Sequence, residues 1–70
     1  MIQLNNSIYE IRLQMFRYGG NFVRQLASCL GAADIENQQR IIAAFPEIME
    51  RYDGLATQAA EQQPELAKES

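Results

Sequence analysis

The sequence predicts an all-α protein, a small bundle of three to four short helices. Three observations carry this. Apolar residues recur at three- and four-residue spacings through the run from Tyr18 to Tyr52, as one helical face requires. Helix-starting and helix-breaking residues punctuate that run: Gly19-Gly20, Asp34 and Phe45-Pro46. A strand needs a partner strand, and no later segment looks like one.

The first helix is expected from about Ile8 to Tyr18. Ser7 followed by Glu10 forms a capping-box pattern, and Ile8, Ile11, Met15 and Tyr18 follow at helical spacing. The competing reading is a hairpin around Asn5-Asn6. Tyr9, Ile11, Leu13 and Met15 also alternate with Glu10, Arg12 and Gln14, which is the strand period.

The second helix is signalled from Asn21, a favoured N-cap after the Gly19-Gly20 break. Phe22, Leu26, Cys29 and Ala33 mark its apolar face, widened by Val23, Ala27 and Leu30. On that reading Phe22 and Cys29 are core residues, the cysteine a small buried hydrophobe.

The third helix starts at Asp34, whose carboxylate suits both a cap and the positive end of a helix dipole. Ile35, Ile42, Phe45 and Met49 form one stripe; Ile41, Phe45, Ile48, Tyr52 and Leu55 form a neighbouring one. Pro46 lacks an N–H and its ring clashes with the preceding turn, so a break is expected there. Pro46 then opens a fourth helix, and a single kinked helix is the alternative. Gly54 is expected to end the last packed turn.

The domain is therefore placed at residues 1–55. Residues 56–70 hold one large aliphatic side chain, Leu66, among Ala, Gln, Glu, Thr, Lys, Ser and Pro64, and read as a polar, largely disordered tail.

Seventy residues make one domain at most, and one core of this size rarely supplies more than about 3–5 kcal/mol. A single cysteine excludes a disulfide within the chain, and one cysteine without histidine argues against structural zinc. Oligomerisation is the remaining reinforcement. The apolar load suggests a homodimer or larger assembly, with Ile8, Ile11, Met15 and Tyr18 as the stripe that pairs across a symmetry axis. A lone cysteine, no secretory apolar region and no membrane-length stretch fit a cytoplasmic protein.

Catalytic residue types are scarce. Histidine, the commonest general base and metal ligand, is absent, and Cys29 has no histidine to activate it. Gly19-Gly20 lacks the further glycines and the lysine of a phosphate-binding loop. The reading is a protein without enzymatic activity, without cofactor and without metal.

Binding residues are better represented. Arg12, Phe16, Arg17, Tyr18 and Arg24 combine the aromatic and arginine side chains enriched at protein interfaces. Phe16 lies off the first apolar stripe and is open between core and interface. Glu47, Glu50 and Asp53 recur every three residues and define an alternative, acidic face. The charge is uneven: residues 1–40 carry four arginines against three acids, while residues 41–70 carry Arg51 and Lys68 against six. No concentrated basic footprint for nucleic acid results. A helix-turn-helix DNA regulator remains the alternative, reading bases from a helix at Asp34 to Phe45 through Asn37, Gln38, Gln39 and Arg40.

The run GGNFVRQLASCLGAAD, then Asn37 and Arg40, then AAFPEIMERY from Ala43 to Tyr52, resembles small helical proteins encoded by bacteriophages and prophages. The likeness covers Tyr18 to Tyr52, half of the chain. It implies a host-cytoplasmic setting and a protein that works by occupying, and so modulating or inhibiting, a host or phage protein. It brings no catalytic or binding residue with it.

Overall fold

A computed structural model describes residues 3–62 and shows four α-helices, with no strand among the described residues. They are α1 (Ile8–Tyr18), α2 (Asn21–Ala32), α3 (Ile35–Ala44) and α4 (Pro46–Glu61).

The capping box of α1 forms as its sequence suggests. Ser7 Oγ accepts from the Glu10 N–H at 3.2 Å, and Glu10 Oε1 accepts from the Ser7 N–H at 3.4 Å. This resolves the choice between helix and strand for residues 8–18. α1 stops at Gly19, whose backbone is extended. The glycine is needed for space rather than for an unusual dihedral. A Cβ there would overlap the Val23 side chain and the Met15 carbonyl oxygen. Gly20, not Asn21, takes the N-cap position of α2, and Asn21 is the first helical residue.

Asp34 caps α3, accepting from the Asn37 N–H at 2.8 Å. The break at Pro46 is real. Phe45 leaves helical geometry (φ −129°, ψ 59°), and Pro46 begins α4, where its missing N–H costs nothing. Gly54 does not end that helix. α4 continues to Glu61, because Tyr52, Asp53 and Ala56 on either side of the glycine are buried. The boundary expected at residue 55 therefore falls inside a helix. The rest of the expected tail, residues 63–70, lies outside the described residues.

α1 packs against both α2 and α4, while α3 touches α2 and α4 more thinly. The core joins Ile11 and Met15 of α1, Leu26, Ala27 and Leu30 of α2, and Met49 and Tyr52 of α4. Each large side chain fully buried there is worth about 1.5–3 kcal/mol. Leu4, Ile8, Val23, Ile41, Ile42, Phe45, Ile48 and Leu55 pack around it half-buried. α3 has no buried residue.

This packing corrects three expectations. Ile11 and Met15, expected to pair with another copy, are fully buried within their own chain, so that stripe is not a dimer surface. Cys29 is exposed, and Phe22 is 58% exposed. The buried face of α2 centres on Leu26, Ala27 and Leu30, because α1 covers that side. Phe22 and Cys29 lie beside it, where α3 gives little cover. Phe22 keeps one aromatic neighbour, meeting Phe45 edge-on at 5.7 Å between centroids. Ile35, expected in the third-helix stripe, is 74% exposed.

Candidate protein-binding surface

α1 carries a second apolar stripe on the side turned away from the core. Tyr9, Leu13 and Phe16 follow at spacings of four and three, which stacks them along one outer face. They are 65%, 47% and 38% exposed. A single exposed apolar residue is ordinary, whereas three in register on one helix form a patch.

Arg12 borders this stripe and is only half-buried. Its Nε donates to the Ala27 carbonyl oxygen at 2.8 Å, and its guanidinium sits 5.7 Å from the Phe16 ring centroid. The guanidinium lies over Gly31, in the space a Cβ would take. Arg12 thus ties α1 to α2 and holds Phe16 in place by a cation–π contact. Its role is partly structural. Arg17, Tyr18 and Arg24 are exposed. Of the residues expected to bind a partner, Phe16, Arg17, Tyr18 and Arg24 therefore remain available at the surface. Tyr9 and Leu13 join Phe16 there. Their spacing signalled it in the sequence, but the same residues also fit the strand alternation.

The expected acidic face does not survive as a unit. Glu47 and Glu50 are exposed, but Asp53 is 5% exposed and turned toward the segment before α1. Its Oδ1 accepts from the Asn6 N–H at 2.9 Å and from Asn6 Nδ2 at 2.8 Å. Both carboxylate oxygens accept from the Asn5 N–H, at 3.1 and 3.0 Å. Asn6 Nδ2 also reaches the Asp53 carbonyl and Thr57 Oγ1, each at 2.9 Å. The carboxylate closes off backbone donors just outside the positive end of α1. It clamps the N-terminal segment to α4 instead of facing a partner.

Between that segment, α3 and α4 runs an open groove of about 920 Å³, lined by Gln3, Leu4, Gln39, Ile42, Ala43, Pro46 and Glu50. The side chains of α3 considered for base reading are largely engaged. Gln38 Nε2 donates to the Leu30 carbonyl at 3.1 Å, turning inward. Arg40, the one basic residue of α3, pairs with Glu36 at 2.9 Å and donates to Asn37 Oδ1 at 3.3 Å. Gln39 lines the groove.

No group of three or more His, Cys, Asp or Glu among the described residues is arranged to hold a metal ion. No helix among them is long and apolar enough to cross a membrane. Comparison with protein-family models, with curated proteins and with solved structures found no match.

Proposed function

We propose that this chain is a non-enzymatic protein-binding module that acts by occupying the surface of another protein. Its contact face is the outer side of α1. The observation that carries the reading is the exposed stripe Tyr9, Leu13 and Phe16, with Arg12 and Arg17 on its borders. A helix that offers apolar anchors at i, i+4 and i+7 is the shape taken up by hydrophobic grooves on partner proteins. Aromatic and arginine side chains are also those that carry most binding energy at such contacts. The resemblance of Tyr18–Tyr52 to phage-encoded proteins supports a host or phage protein as the target and its modulation or inhibition as the outcome. It also supports a host-cytoplasmic setting.

The test is capture from a bacterial lysate with a photoreactive residue at position 13, and with the same residue at position 50 as a control. Cross-linking at 13 alone, lost in a Phe16→Asp chain of unchanged helicity, is the expected result. Equal cross-linking at both positions, or capture that survives Phe16→Asp, overturns the assignment of the face.

A further inference from the structure

We infer that the outer face of α1 pairs with the same face of a second copy of this chain, the two helices running antiparallel across a twofold axis near Leu13. The inference rests on reading that face as a binding surface and names its occupant in the purified protein. The stripe expected to dimerise has its centre, Ile11 and Met15, buried in the monomer; the outer one faces solvent and is self-complementary.

The charges choose the occupant. Glu10 and Arg17 are both exposed and lie seven residues apart on one flank of the stripe, beside Leu13. Two helical turns separate them, about 10.5 Å. Their midpoint falls next to Leu13, at the centre of the stripe. Antiparallel pairing about that point sets Glu10 of each copy opposite Arg17 of the other, twice over, as a twofold interface demands. Parallel pairing about a twofold carries this flank to opposite sides of the interface and leaves both pairs unmade.

Both partners have capacity to spare. Glu10 uses Oε1 for Ser7, and Oε2 has no partner among the described residues. Arg17 has no acidic partner in its own chain among the described residues, where Arg40–Glu36 is the ion pair formed.

The size of the patch sets the strength. Taking about 200 Å² for a fully exposed large side chain, the three residues offer roughly 300 Å² of apolar area per copy. A stable interface takes about 800 Å² from each partner. The pair is therefore a reversible, weak dimer, and dilution frees the same face for another protein.

Sedimentation velocity of the full chain tests this at about 10 µM to 1 mM, the range in which so small an interface assembles. The expected result is a weight-average mass that rises from monomer toward dimer. Leu13→Asp should hold the chain monomeric throughout, with its far-ultraviolet circular dichroism unchanged. Glu10→Lys and Arg17→Glu should each weaken pairing by roughly 3- to 10-fold, and the double exchange should restore it. Because Glu10 also serves the α1 cap, Glu10→Gln is the check: it keeps the capping pattern while losing the charge, and should still weaken pairing. A monomer at the highest concentration overturns the inference, as does pairing that ignores Leu13→Asp or a double exchange that fails to rescue. A chain that stays monomeric yet loses lysate capture on Leu13→Asp keeps the binding face and removes the self-pairing. Dimerisation lost on Leu13→Asp with capture intact keeps the self-pairing and moves the partner elsewhere.

Discussion

Replacing Asp53 with Asn keeps the shape of the side chain and removes its charge, which isolates what the carboxylate contributes. In the native chain its two oxygens take the Asn5 N–H, the Asn6 N–H and Asn6 Nδ2 at 2.8–3.1 Å. The amide of the variant can keep its oxygen toward Asn6, but its NH₂ then replaces the acceptor at 3.0 Å from the Asn5 nitrogen, which is left with the 3.1 Å contact and a donor beside it. A net hydrogen bond to a charged group is worth about 1.5–3 kcal/mol, against about 0.5–1.5 for a neutral pair. About 1 kcal/mol is lost at each surviving bond and more at the mismatched one. The loss is capped, because residues 3–6 can detach and hydrate once holding them costs more than the half-burial of Leu4 returns. The expected destabilisation is about 2–3 kcal/mol, or a fall in Tm of about 8–24 °C for a domain of this size. Urea unfolding followed by circular dichroism reads it. A double-mutant cycle with Asn6→Ala should give a coupling of about 1 kcal/mol or more. A loss below about 0.5 kcal/mol, or zero coupling, would refute the clamp as a stabilising element.

Two glycine comparisons follow. Gly19→Ala should destabilise by about 1–3 kcal/mol, the usual range for forcing atoms into a packed site, since its Cβ meets the Met15 backbone oxygen. Gly20→Ala, with open space around it, should differ clearly by costing less in the same denaturation assay. Gly54→Ala should stabilise by about 0.5–1 kcal/mol, because the position is mid-helix, exposed and free of neighbours. A lower Tm for that variant would mean that α4 bends or opens at Gly54.

Helix identity was legible where local chemistry decides it. The Ser7–Glu10 box, the Asp34 cap and Pro46 each act within four residues, and all three appear where the residues place them. Faces were less legible. The apolar arc of α2 spans more than one stripe, and which part is buried depends on where α1 lies, something α2 alone does not encode. Gly54 misled for the same reason: its intrinsic preference against helix is outweighed by Tyr52, Asp53 and Ala56 packing around it. Asp53 read as one of three acids at helical spacing. Its partners, Asn5 and Asn6, are 48 and 47 residues away, and no local pattern announces such a contact. On α1 the outer stripe was present in the spacing of Tyr9, Leu13 and Phe16. Tyr9 and Leu13 also fit the strand alternation, and the stripe stood apart from it only once the helix was established.

The Asn6–Asp53 clamp also sets an order of events during synthesis. At about 5–20 residues per second, the ribosome adds Asp53 roughly 2–9 s after Asn6. Until then the early segment has no carboxylate to receive its N–H groups, and α1 lacks the helix that covers its second side. α1 and α2, joined by the short Gly19-Gly20 link, are already neighbours and can form a hairpin at once. Any partly folded form that holds only α1 and α2 leaves Ile11 and Met15 incompletely covered. It is sealed only when the last helix arrives and fastens the first residues to itself.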